Sequence, residues 1–326
     1  MPVNNLAVAF RLAASDGKIT DLEVRSALRL ASRNTLTGAE QKTLGSQLKL
    51  RGDAFEPDAQ VRLSRFVKAA NGPANSADPR VMAKDRATTH YRPVAGGVYR
   101  AGVSARDVVQ GQAGDCYVLA TLSAAAKMRP GLIADAITQK SDGSFLVRFY
   151  GKGADGKPVP VYVPVDRELP GDRRGTRYAR SSARGELWVS LVEKAFAKWK
   201  GGYEQIGKGG APSDVMTALT GKEATWSLTA DGTPDELFAR LRAQLNQKGM
   251  AVASTRPGAQ YRGTGVVASH AYTVLDVSEK NGVKSVLLRN PWGKTEPGQP
   301  RSGDGVFSLP LARFITLFPD LFLGGQ

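Results

Sequence analysis

The sequence predicts an α+β fold, and three observations predict it. Residues 1–72 carry apolar side chains at helical spacing. A run of helix formers, Val118 to Ala126, follows the chain's single cysteine, Cys116. The last third is rich in β-branched residues broken by turn signals. At 326 residues the chain is long enough for two or three domains with a sizeable core.

In chain order, one apolar face begins with Ala7, Phe10, Leu12 and Ala13. It continues through Leu22, Val24, Ala27, Leu28 and Leu30, then Leu44, Leu48, Val61, Leu63 and Phe66. Residues 1–72 are therefore expected to form a small all-α domain. Asp16 to Glu23 has the outline of an EF-hand loop. With Gly17 at position six and Glu23 at twelve, however, Leu12 and Ala14 fall where the first two ligands belong. A helix–turn–helix scaffold without calcium is the expectation. Residues 73–97, with their Gly, Pro, Ser, Asp and Arg, read as an exposed linker, His90 included.

The next segment, Gln110-Gly111-Gln112-Ala113-Gly114-Asp115-Cys116-Tyr117, makes Cys116 a candidate nucleophile. Gly114 permits a tight turn, Asp115 can cap the helix that follows, and Cys116 then lies in its first turn. Free N–H groups there favour thiolate over thiol. The competing reading is a small buried hydrophobe. Cysteine chemistry needs a base, and the chain holds only His90 and His270. His270 lies in a strand pattern from Gly265 to Val277. A turn at Ser278-Glu279-Lys280-Asn281-Gly282 leads to a second strand from Val283, which ends in Arg289-Asn290-Pro291-Trp292-Gly293. A hairpin centred near Lys280 sets His270 opposite Asn290 on one face, where an amide can fix the tautomer and orientation of the imidazole. A register error of one residue would separate them.

These blocks resemble the protease core of the calpain family, a branch of the papain-like cysteine peptidases. The first is Gln110-Gly111 with Gly114-Asp115-Cys116, Tyr117 standing where the family usually has tryptophan. The second runs from Glu186 to Lys198 and on to Gly202-Tyr203-Glu204. The third is Ser269-His270-Ala271-Tyr272, with Ser269 where the family typically has glycine. The fourth is Leu288 to Gly293, followed by Asp304-Gly305-Val306-Phe307. The resemblance spans about residue 94 to the C-terminus. It implies a papain-like core of two subdomains, a helical one over 98–222 carrying the nucleophile and a β-rich one over 223–326 carrying histidine and asparagine.

The resemblance also implies roles. Cys116 is the nucleophile, His270 the general base, Asn290 the residue that orients it, and Gln110 an oxyanion donor beside the Cys116 N–H. Trp292, Gly114 and Ser269 would line the cleft, with Trp292 shielding the pair or packing in the core. Glu193 and Lys194 read as a solvated helix face. The chemistry needs no cofactor, but calpain cores can bind calcium. Asp107 and Glu186, with Gly102 nearby, resemble one such loop. Glu296 and Asp304 resemble part of a second, in which an expected acid is Val306. Salt bridges to this arginine-rich chain are the competing use of those carboxylates.

The function expected is therefore a calpain-like cysteine endopeptidase that acts on unstructured protein segments and can cut its own linker. The same site would also serve an acyl transferase or deamidase, or survive in a binding module. The formal charge of +15, with a local concentration at Arg167, Arg173, Arg174, Arg177, Arg180 and Arg184, favours acidic partners. No nucleic-acid motif accompanies it. One cysteine excludes an internal disulfide and a Cys-rich zinc site. No run of eighteen apolar residues predicts a membrane span. Met1 to Ala7 lacks the marks of a secretory signal, so the expected location is cytoplasmic, with a signal-less export route left open.

Overall fold

Thr20 and Thr37 each accept a hydrogen bond from the N–H of a glutamate three residues on, and that glutamate accepts the threonine N–H in return. These capping boxes start α1 (Asp21–Arg33) and α2 (Gly38–Leu50), and Pro57 in the first turn starts α3 (Pro57–Asn71). Glu23, position twelve of the apparent EF-hand loop, is thereby used as a cap. The computed structural model describes residues 17–73, 78–297 and 303–325, so Ala7, Phe10, Leu12 and Ala13 lie outside the described residues. In α1 the buried stripe is Val24, Ala27, Leu28 and Ala31. Leu22 and Leu30 fall off that stripe and are exposed, as is Val61, contrary to the face expected from the sequence.

The chain divides into two compact units. One joins the N-terminal segment through Asp78 with Ala134–Arg167; the other takes Pro79–Ile133 and Glu168 onward. The first unit is not all-α. An antiparallel sheet of β1 (Ile137–Gln139), β2 (Phe145–Lys152) and β3 (Pro158–Val165) belongs to it. Leu146 enters one core with Val24, Leu28, Leu36, Leu44, Phe55, Leu63 and Phe66, and Phe66 meets Tyr162 edge-on at 5.1 Å. The sequence reading assigned these strands to the helical protease half. The face that carries Leu146 and Tyr162 is instead covered by the N-terminal helices.

In the second unit, α4 (Cys116–Met128) is buried on every side from Tyr117 to Ala126. It packs against α5 (Trp188–Lys200) and α6 (Pro212–Thr220). The six-stranded sheet contains β4 (Thr225–Leu228), β5 (Met250–Ser254), β6 (Ala271–Lys280), β7 (Val283–Arg289), β8 (Val306–Pro310) and β9 (Asp320–Gly324). All its pairings are antiparallel, in the order β8-β7-β6-β5-β9-β4. Helices α7 (Pro234–Asn246) and α8 (Leu311–Leu317) also lie against this sheet. Helix α4 rests on β5 and β6, where the Thr273 hydroxyl donates to the Ala120 carbonyl at 2.7 Å. Among the described residues no helix is long and apolar enough to cross a membrane.

The described part of 73–97 is largely exposed, as its composition suggested, but it is pinned to the fold rather than free. His90–Pro93 pairs with Glu168–Asp172 as a strand. Asp85 is fully buried: Arg177 Nη2 reaches its Oδ1 at 2.7 Å and the Tyr178 hydroxyl donates to its Oδ2 at 3.1 Å. Polar composition hid a segment pinned by one buried ion pair. Asp85→Ala would leave the Arg177 guanidinium and the Tyr178 hydroxyl short of an acceptor. A loss of about 2–3 kcal/mol in denaturant-measured stability is expected.

Candidate active site

The turn that carries Cys116 is shaped by two close backbone approaches. Val108–Val109 pairs with Arg180–Ser181, which draws the next residues along the same neighbouring segment. A Cβ on Gly111 would lie 2.3 Å from the Tyr178 backbone, and one on Gly114 would lie 2.4 Å from the Gly207 carbonyl oxygen. Both glycines are therefore packing requirements, and for Gly114 this is the contact that the structure gives. Helix α4 then begins at Cys116, with the Asp115 carbonyl accepting from the Val118 and Leu119 N–H groups. The Asp115 side chain makes no capping bond, contrary to the sequence expectation; it is turned inward and fully buried.

His270 and Asn290 do meet, by a route the sequence did not show. Lys280 faces Val283, so the turn centres between Asn281 and Gly282 rather than at Lys280. Continued unbroken, that register would set Asn290 across from Thr273, on the face opposite His270. The register shift between Val274 and Asp276 corrects the parity. Thr273 now faces Arg289, which leaves Tyr272, two residues from His270, in line with Asn290. The His270 backbone is fixed by Thr255, whose hydroxyl accepts its N–H at 2.9 Å and whose N–H donates to its carbonyl at 2.9 Å. Ser269 before it is held at φ 51°. That left-handed conformation is the reason glycine suits the position.

His270 Nε2 lies 2.9 Å from Asn290 Oδ1. The Trp292 N–H donates to the same oxygen at 3.0 Å, and since an N–H can only donate, the amide orientation is fixed. Nε2 is then the protonated nitrogen and Nδ1 is left as an acceptor. The half-buried Trp292 ring stands 4.7 Å from the imidazole, and Tyr272 meets it edge-on at 5.0 Å. Burial pushes the imidazole pKa down to about 4, with the Asn290 bond acting in the opposite direction. Burial also pushes the Cys116 thiol up; the nearby Ala271 N–H opposes this and the Asp115 charge adds to it. The sulfur thus lies against the residue that follows His270, and at rest each group is held neutral.

Gln110 is buried, and its N–H donates to the Pro291 carbonyl at 2.8 Å, joining the Cys116 turn to the segment after Asn290. Its Nε2 donates to Ala113 O at 2.8 Å. Arg289, one residue before Asn290, is also fully buried. Its Nη2 donates to the Val108 carbonyl at 2.7 Å and the Arg106 carbonyl at 3.3 Å. Sequence reasoning missed this residue; the only signal was a lone arginine closing an apolar strand.

A sequence model of the calpain family cysteine protease matches residues 80–302. The chain belongs to the calpain family of cysteine proteases. It is 33% identical over 205 residues to the calpain-type cysteine protease ADL1 of Oryza sativa, covering 60% of this chain and 9% of that protein. It is 32% identical over 227 residues to a thiol protease of Porphyromonas gingivalis, covering 62% and 46%. The calpain-like protease palB of Emericella nidulans matches at 27% identity over 353 residues, 92% of this chain and 41% of its own length. The chain thus spans less than half the length of these relatives.

The acidic positions of this calpain core divide into two cases. Asp107 and Glu186 are neighbours: burial first, and the Asp107 charge among the further causes, raise the Glu186 pKa. Glu186 Oε1 accepts the Arg100 N–H at 2.9 Å, while its Oε2 is buried without a hydrogen-bond partner among the described residues. Asp107 Oδ2 accepts from the Ser104 N–H and the Trp188 indole. Two adjoining carboxylates beside the left-handed turn at Gly102 fit a hard cation. The other set does not fit. Asp304 pairs with Arg106 at 3.4 Å and accepts the Val306 N–H, Glu296 Oε1 accepts the Gly305 N–H at 2.6 Å, and Val306 offers no side-chain oxygen.

Glu193 and Lys194 are the clearest correction. They are buried rather than solvated. Lys194 donates to the Glu168 carbonyl at 2.6 Å and sits over the Tyr91 ring. A helix packed on all sides of its middle turns leaves no face for solvent. The strain at Ser269 gives a direct check. Ser269→Gly is expected to leave the His270 geometry unchanged and to raise stability by a few tenths to about 1 kcal/mol in denaturant titration.

Proposed function

We propose that the chain is a cysteine endopeptidase in which Cys116 attacks the substrate carbonyl, His270 is general base and then acid, Asn290 orients the imidazole, and Gln110 with the Cys116 N–H receives the oxyanion. The observation that carries this reading is one juxtaposition: the Ala271 N–H lies close enough to act on the Cys116 thiol, and the residue before it, His270, is held by Asn290 through Nε2. The thiol proton passes to His270 Nδ1 and sulfur adds to the carbonyl carbon as the carbonyl electron pair moves to oxygen. Collapse expels the amine, which takes the proton from His270, and water then cleaves the thioester with His270 again as base. Proton transfer makes a thiolate–imidazolium pair whose charges compensate each other's burial. Substrates are protein segments free to extend into the cleft, and the basic chain favours acidic ones.

The test is mass spectrometry of reduced, alkylated casein incubated with the full-length protein. Cys116→Ala and His270→Ala should slow cleavage by about 10³-fold or more, and Asn290→Ala by less, because the base survives. Cleavage that persists undiminished in Cys116→Ala would end the proposal. A mass shift without chain cleavage would assign a deamidase, and incorporation of an added amine a transferase. Self-cleavage at His90–Pro93 or at Asp85 would have to break a paired strand or a buried ion pair, so these two places are poor substrates.

Asp107 and Glu186 would hold calcium in this reading, with backbone carbonyls of the Gly102 turn, and the ion would supply charge neutralisation there. Calcium should then raise the melting temperature by mass action, and Asp107→Ala should abolish the shift. No calcium-dependent shift in the unaltered protein would remove the site.

A further inference from the structure

Two acids lie buried directly behind the nucleophile turn. Asp115 is fully buried and Glu193, from α5, is 1% exposed. Both oxygens of the Asp115 carboxyl are buried and accept no hydrogen bond from a fixed donor among the described residues, and the Glu193 carboxyl and the Gln110 amide border it. Glu193 Oε1 accepts the Ala179 N–H at 2.9 Å, and the Tyr203 hydroxyl, stacked on Tyr178 with ring centroids 4.0 Å apart, lies within reach of the same carboxyl. The other titratable groups facing the pair are Cys116, Tyr117 and Tyr178, and among the described residues no cation acts on either acid. The nearest basic side chains are engaged elsewhere, Arg177 with Asp85 and Asp172 and Lys194 with Glu168 and Tyr91.

Two carboxyl oxygens attract only if one carries a proton; otherwise two like charges share a low-dielectric space. We propose that Asp115 and Glu193 form a buried acid pair holding one proton between them, Glu193 donating to Asp115, and that this pair is a positioning group for Gln110 and the Cys116 turn. Asp115 supplies the last residue before α4, so holding its carboxyl fixes where the helix and its sulfur begin. Holding the Gln110 amide beside it sets the donor that meets the oxyanion. Sharing the proton also holds the pair at one negative charge instead of two beside the position where thiolate forms. Burial supports the assignment by raising both acids, Asp115 to about 7 and Glu193 well above its ordinary value.

Three variants of the full-length chain test it. Glu193→Gln mimics the protonated acid, Glu193→Ala removes the donor, and Asp115→Asn removes the charge beside Cys116. At pH 7 the infrared spectrum should contain a protonated-carboxyl stretch that Glu193→Gln lacks. Glu193→Ala should lower kcat about tenfold or more with KM little changed, and Glu193→Gln should restore kcat to within about threefold. Alkylation of Cys116, the only thiol, should reach its midpoint at lower pH in Asp115→Asn. A raised acid stabilises the fold below its unfolded pKa and stops doing so as pH climbs through the folded value. Relative to Asp115→Asn, the unaltered protein should therefore lose Tm between about pH 4 and about pH 7. The kinetic arm rests on the proposed protease chemistry; the spectrum, the alkylation and the melting do not, so failure of one reading is separable from failure of the other. Absence of the carboxyl stretch, or equal losses in Glu193→Gln and Glu193→Ala, would overturn the pair.

Discussion

Burial of α4 on all sides sets the terms for the rest of the protease unit. A helix with no solvent face cannot rotate or slide without opening a cavity or forcing an overlap, each costing on the order of 1–5 kcal/mol per large side chain. Its first residue is Cys116, and it rests on β5 and β6, the strand that His270 immediately precedes. Cys116 and His270 are therefore located by the same packing. The hydrogen bond from Thr273 to the Ala120 carbonyl ties helix to strand at a level where both are fully covered.

The polar parts of the site depend on that apolar frame. Asn290 Oδ1 receives two donors, and the amide is thereby prevented from flipping. Arg289 fills the space beside it with a buried guanidinium bonded to backbone carbonyls instead of carboxylates. Burial lowers its pKa to about 10, which leaves it charged at neutral pH. Neutral cysteine and histidine, a charged arginine and a turn built on two close glycine approaches together define a site organised before substrate arrives.

Much of this was legible in the sequence because the signals were local. The helix after Cys116, the strands flanking Asn281-Gly282 and the Gln110–Cys116 turn follow from residue type and spacing over a few positions. The His270–Asn290 pairing was anticipated, but from a symmetric hairpin; the actual turn is displaced, and a bulge restores the shared face. A bulge has no composition of its own here, so spacing alone could not find it. The buried charges were illegible for a different reason. Asp85, Glu193 and Lys194 look like surface residues on any hydropathy count, and only long-range partners decide otherwise. The strands at Phe145–Val165 were missed because the helices that cover them lie far earlier in the chain.

The interleaving of the two units changes what a cut near Asp78 would accomplish. The N-terminal helices share their core with Leu146, which arrives only after the chain has already built α4. Severing the backbone ahead of Pro79 would leave those helices gripping a sheet still covalently joined to the protease through its other ends. A nick there would be silent in size-exclusion chromatography and visible only after denaturation. An N-terminal segment built this way behaves as a resident part of the enzyme, and removing it would mean unfolding a shared core.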